Sequence, residues 1–112
     1  MIPVWPAVPF DGFRVNRVWI VAPRNIEPIE NDQPGNAIYF SLYLCVGDQL
    51  DLLGDLNTEK QGMEAYVPYD ILSSPQDMRA MHVLAISAVR GGAGAPRLRG
   101  FAVQVDYSYV GV

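Results

Sequence analysis

The feature that most constrains this chain is the strict alternation that runs from Phe101 to Tyr109. Phe101, Val103, Val105, Tyr107 and Tyr109 fall on one face, with Ala102, Gln104, Asp106 and Ser108 on the other. A period of two places every second side chain on one side of an extended backbone and does not fit a helical repeat, so it predicts a half-buried strand. Ile38 to Val46 repeats the pattern, setting Ile38, Phe40, Leu42, Leu44 and Val46 against Tyr39, Ser41, Tyr43 and Cys45. Its wholly apolar face predicts a central strand. Met81 to Val89 is a short apolar run rich enough in β-branched residues to predict a strand buried on both sides, and Phe13 to Ala22 reads likewise through Val15, Val18, Trp19, Ile20 and Val21. A weaker candidate, Glu64 to Val67, is cut by Pro68 and belongs at an edge.

The connections between these strands carry turn chemistry. Arg90 to Arg97 contains the glycines of a short Gly/Ala loop at 91–95 and predicts a long hairpin that pairs its flanking strands antiparallel. One short helix is predicted near 75–80, with Ser74 as its N-cap, Pro75 in its first turn and Asp77 in the capping-box region. Asp48 to Leu56 fits either a helical turn, with Leu52, Leu53 and Leu56 opposed to Asp48, Asp51 and Asp55, or extended chain. Strands separated by Pro-, Gly- and Asn-rich loops predict an all-β fold, a compact antiparallel β-sandwich or jelly-roll-like barrel of about six to eight strands. Residues 1–12 read as an extended proline-rich N-terminal arm and 13–112 as a single sandwich domain.

Composition narrows the function classes. In 112 residues, half are apolar and 18% charged, which supports a packed core and excludes a disordered tail. The net charge of −4 opposes non-specific nucleic-acid binding, which depends on a surplus of Lys and Arg. Seven of the eight basic residues are arginines, with Lys60 the exception, a bias that suits fixed interface contacts better than a mobile solubilising coat. A single cysteine, Cys45, allows no internal disulfide and no thiol-based zinc site. The first ten residues lack a basic segment and carry Pro3, Pro6 and Pro9, unlike a signal peptide, and no run is long enough to span a membrane as a helix. Cytoplasmic synthesis of a soluble chain is therefore expected, with a virion as one destination.

Catalytic signals are weak. The one histidine, His82, sits in the Met81 to Val89 run, where a structural role is expected, and no serine occupies a Gly-x-Ser-x-Gly elbow. Glu27, Glu30 and Asp32 offer hard oxygen ligands without the spacing of a calcium loop, and the glycines at 91, 92 and 94 lack the Gly-Lys-Ser/Thr ending of a phosphate loop. No cofactor, no metal and no enzymatic activity are expected.

Binding signals are stronger. The fourteen-residue loop from Pro23 to Asn36 carries Glu27, Glu30 and Asp32, and the predicted hairpin tip is flanked by Arg90, Arg97 and Arg99. The arginines read either as ordinary solubilising charge or as a positive patch that meets the acidic loop of a neighbouring copy in a heterologous contact. The apolar arm, with Trp5 and Phe10 among its anchors, has to dock on its own sandwich or across a neighbour. Tyr39 and Tyr43 share a strand face at a separation of roughly 13 Å and are candidates for stacking a ligand.

In style the chain is similar to small accessory proteins of viral particles, such as capsid-decorating or capsid-stabilising subunits of tailed phages, an analogy of architecture and not of motif. The resemblance implies a non-enzymatic structural subunit of a larger homo- or hetero-assembly, with protein partners and neither nucleic acid nor membrane. The alternatives are a carbohydrate- or peptide-binding β-sandwich module and an acidic inhibitor or immunity-type protein.

Overall fold

A computed structural model of the chain describes residues 2–5, 11–27, 37–59, 62–92 and 95–110; for Val4 and Trp5 it describes the backbone alone. The described residues form eight strands: β1 (Ile2–Trp5), β2 (Phe13–Val21), β3 (Ile38–Val46), β4 (Gln49–Asn57), β5 (Pro68–Asp70), β6 (Gln76–Met78), β7 (Val83–Arg90) and β8 (Ala102–Tyr109). They form two antiparallel sheets. Sheet A has the order β1-β7-β3-β4, and in sheet B β2 pairs with β8 on one side and with β5 and β6 on the other. The all-β class expected from the alternation is thus observed.

The core lies between the sheets. Ile38, Phe40, Leu42 and Leu44 of β3 and Leu84 and Ile86 of β7 face Val15, Val18 and Ile20 of β2, all buried. Each fully buried aliphatic side chain of this kind stabilises the fold by roughly 1.5–3 kcal/mol. In β2 the inward residues change parity between Val15 and Val18 because the ladder to β8 shifts between Val15 and Arg17, leaving Asn16 as an extra residue. A bulge of this kind lets a broken alternation serve one core face, which accounts for the two-sided appearance of Phe13 to Ala22. Trp19 and Val21 are half-buried on the opposite side.

Four expectations are corrected. No helix forms near 75–80: Gln76–Met78 is strand β6, paired with Phe13 to Val15, with Met78 buried in the core. A six-residue stretch gains too few internal hydrogen bonds to nucleate a helix against those tertiary contacts. Arg90 to Arg97 does not close a hairpin, since both edges of β7 are occupied by β1 and β3, so the chain crosses to sheet B and β8 pairs with β2. Strand β7 begins at Val83, which leaves Met81 exposed at φ +67 and His82 in the turn before the strand. Glu64 to Val67 is not the fifth strand; Pro68 opens β5, at the first position where its missing N–H does least harm.

The 48–56 ambiguity resolves as extended chain. Gly47 at φ +59 opens the two-residue turn between β3 and β4, the position where a type II′ hairpin needs glycine. Strand β4 then carries a bulge of its own, since Leu42 pairs with Gly54 and Tyr43 with Leu52, leaving Leu53 extra. This bulge sends Leu50 and Leu52 to the outer face of sheet A and Leu56 to the core.

Candidate functional site

The residues with chemical potential do not converge. His82 Nδ1 accepts the Arg79 N–H at 3.2 Å while the His82 N–H donates to the Arg79 carbonyl at 3.0 Å, so the imidazole closes a turn. Cys45 stands opposite Val83, one residue from His82, but no hydrogen bond joins the two side chains. Among the described residues no group of three His, Cys, Asp or Glu side chains is placed to hold a metal ion. An open depression of about 400 Å³ beside β2 and β6 is lined by Asp11, Arg14, Asp77 and Arg79. Two of these partner one another, with Arg14 Nε 2.8 Å from Asp77, and Asp11 accepts the Ala80 N–H at 2.7 Å.

The arginines flanking the 91–96 crossover have different roles. The Arg90 guanidinium donates to the Ala95 carbonyl at 2.7 Å and the Pro96 carbonyl at 3.2 Å, lacing the crossover onto β7. Arg97 and Arg99 have exposed side chains, and their carbonyls accept from Arg24 at 2.6 and 3.5 Å. Arg24 also lies over the Phe101 ring, 5.8 Å from its centroid. It was not anticipated from sequence, because its place depends on the β2 to β8 pairing, which no local motif encodes.

This pairing brings Arg24, Arg97 and Arg99 to the end where β2 finishes and β8 begins, and Glu27, three residues past Arg24, belongs to the same end. Cation and acid therefore share one end. Glu30, Asp32, Phe10 and the Trp5 side chain lie outside the described residues.

The outer face of sheet A is the most distinctive surface. The ladders place Tyr39, Ser41, Tyr43 and Cys45 of β3 beside Val89, Ser87, Ala85 and Val83 of β7, and beside Asn57, Asp55, Leu52 and Leu50 of β4. Leu50, Leu52 and Val89 are 55%, 57% and 55% exposed. One half of this face, from Tyr43 to Leu50 and Val83, is apolar; the other is polar apart from Val89. Tyr39 and Tyr43 share it as expected, both half-buried. The Tyr39 hydroxyl donates to Glu59 at 2.9 Å, and this bond, with burial and the nearby carboxylate charge, raises its pKa above the ordinary 10.0. Leu50 and Leu52 were not singled out in the sequence, because only the bulge at Leu53 separates them from Leu56.

On sheet B, β8 pairs with β2 alone among the described strands. Its C-terminal end carries Tyr107 and Tyr109, stacked edge-on against Phe13 at 6.2 and 5.4 Å and still 51% and 60% exposed. Compared with known protein families, curated proteins and solved structures, the chain matches none. Among the described residues no helix is long and apolar enough to cross a membrane.

Proposed function

We propose that this chain is a non-enzymatic interaction subunit of a protein assembly and that the apolar half of the sheet A outer face is its principal contact surface. The observation that carries this reading is the contiguous set Tyr43, Cys45, Leu50, Leu52 and Val83, which lies on the opposite side of the sheet from the core with Leu50 and Leu52 more than half exposed. Contiguous apolar surface of this kind is rare on soluble monomers and is characteristic of interfaces. Scattered partnering of the potential acids and bases fits the same reading. A capsid-decorating or capsid-stabilising role is one setting for such a subunit and rests on the analogy of architecture alone.

Glycan stacking is less well supported. The Tyr39 hydroxyl is committed to Glu59, and both tyrosines are half-buried in place of standing free as platforms.

The test is a double substitution, Leu50→Glu with Leu52→Glu, at exposed positions where the fold tolerates charge. Light scattering across a concentration series is expected to show species heavier than the monomer for the native chain and a shift toward monomer for the variant, with the thermal transition within a few degrees of native. A variant with the same mass distribution as the native chain at every concentration overturns the assignment of this face.

A further inference from the structure

The segment from Ala95 to Arg99, between β7 and β8, belongs to no strand or helix, yet each of its backbone carbonyls has a donor. The Arg90 guanidinium donates to the Ala95 and Pro96 carbonyls at 2.7 and 3.2 Å, the Arg24 guanidinium to the Arg97 and Arg99 carbonyls at 2.6 and 3.5 Å, and the Phe101 N–H to the Leu98 carbonyl at 3.3 Å. Gly100, at φ +87, closes the turn that follows against Pro23, where a Cβ would lie 3.0 Å from two carbons of the proline ring. A segment fixed in this way loses little conformational freedom when something binds to it.

Its outward face carries charge. Leu98 packs against the core, and Arg97 and Arg99 on either side of it are exposed. Neither of these side chains has a hydrogen-bond or ion-pair partner, and no carboxylate lies within ion-pair distance of the Arg24 guanidinium that holds their backbone. Arg14, by contrast, is paired with Asp77 at 2.8 Å. Gathering like charges at one place costs electrostatic energy that an anion from outside would offset.

We infer that the 95–99 segment is a docking site for an acidic segment of a partner protein, two of whose carboxylates are received by the Arg97 and Arg99 guanidiniums. This inference rests on the reading of the chain as an interaction subunit and adds to it a contact of opposite chemistry to the apolar face of sheet A. Arginines on a fixed backbone recognise acidic motifs because each planar guanidinium takes one carboxylate through two parallel hydrogen bonds. The charge of the whole chain selects against a nucleic acid in the same place. A continuous line of phosphates is repelled by a chain of net charge −4 beyond the patch, and by exposed Glu27 at the same end, whereas a short acidic segment needs no more charge than the two guanidiniums balance.

The probe is a blocked tetraglutamate peptide, titrated into the isotope-labelled full chain at low ionic strength and followed through the backbone amide resonances. A blocked tetraglutamine peptide and a short oligothymidylate of equal charge serve as comparisons. Tetraglutamate is expected to shift the 97–101 amides selectively and to saturation, with added salt weakening the complex and tetraglutamine without effect. Arg97→Gln with Arg99→Gln, a change confined to exposed side chains, is expected to weaken binding about tenfold or more. No selective shift at 97–101, or equal binding by the double variant, overturns the site. Oligothymidylate bound more tightly than the peptide overturns the acidic segment as its occupant. The Leu50→Glu, Leu52→Glu chain is expected to show the same shifts at 97–101 as the native chain, so that loss of the sheet A assignment leaves this site standing. A peptide without effect, beside a mass shift toward monomer in Leu50→Glu, Leu52→Glu, overturns this site and leaves the assembly reading in place.

Discussion

Among the described residues, β4 and β8 are the two long strands that end a sheet, and they are built to opposite specifications. β4 is irregular and overlaid: a bulge at Leu53, acidic residues on both faces, and the 71–73 segment crossing close above Gly54. β8 is straight, short of charge and uncovered by any described strand. The comparison teaches that exposed apolar side chains and an available backbone edge are separate properties. Leu50 and Leu52 give β4 exposed apolar side chains while its edge is obstructed; β8 keeps a regular ladder to β2 beyond its one bulge and ends in two half-exposed tyrosines.

The sharpest way to break the contrast is to remove the obstruction over β4. A Cβ built at Gly54 falls 1.7 Å from the Ile71 carbonyl oxygen and 3.0 Å from the Ile71 carbonyl carbon, both backbone atoms that cannot swing aside. Ile71 is in turn fixed by its N–H to the Val18 carbonyl at 2.9 Å and by burial in the core. Gly54→Ala is therefore expected to lower stability by about 3 kcal/mol or more in urea unfolding, since either the crossing segment or the β4 ladder has to move. If it is the crossing that lifts, β4 gains an open edge, and the variant should also aggregate faster than the native chain on partial unfolding. A substitution cost under about 1 kcal/mol would show that the crossing is loose and that β4 is no better guarded than β8.

A smaller effect is expected where β4 ends. Among the described residues Thr58 is the buried polar one; its Oγ1 accepts the Ile38 N–H at 3.0 Å, and its own N–H donates to the Ile38 carbonyl at 3.1 Å. Thr58→Val preserves shape but leaves the Ile38 N–H without an acceptor in a dry site, at a cost of about 1–3 kcal/mol. Thr58→Ser keeps the acceptor and should lose less than Thr58→Val, a ranking that equilibrium unfolding of the pair checks directly. The C-terminal end of β8 is held by exposed and half-buried contacts: Val110 N–H donates to the Gly12 carbonyl at 2.6 Å, and the Asn16 amide donates to the Ser108 hydroxyl at 3.2 Å.

The same two strands mark the limits of what the sequence discloses. β8 was legible because its alternation is unbroken from Phe101 to Tyr109, and β3 for the same reason. β4 was ambiguous because one inserted residue, Leu53, rotates Leu50 and Leu52 to the face opposite Leu56, and a bulge has no local signature strong enough to separate it from a helical turn. The β7 to β8 connection was read as a hairpin because its composition suits one; that β7 is already paired on both edges is a tertiary fact, invisible in the residues of the loop. Ser74, Pro75 and Asp77 give a sound helix start, yet the burial of Met78 and the pairing of 76–78 with β2 override it. For the candidate surfaces, Tyr39 and Tyr43 were placed on a common face correctly, because period two needs no partner strand to be read. Arg24 and the exposed leucines depend on register and bulges and had to be seen.

The smallest expected effect concerns Tyr39, which ties the outer face of sheet A to the Glu59 carboxylate just past the end of β4. Hydrogen bonding to Glu59 favours the neutral phenol and raises its pKa above 10.0 in the folded chain. The unfolded chain then releases the phenolic proton at a lower pH than the folded chain does. Below about pH 10 both states hold the proton and the contribution to stability is fully present; above it the folded state binds more protons than the unfolded, and stability falls as pH rises through the folded value. Tyr39→Phe removes this component, so its unfolding midpoint should decline less steeply than that of the native chain across the same alkaline range, while the two differ little near neutrality. Equal slopes for the two chains would mean that the Tyr39 to Glu59 bond does not persist in solution, and the polar half of the sheet A face would then be as open to a partner as the apolar half.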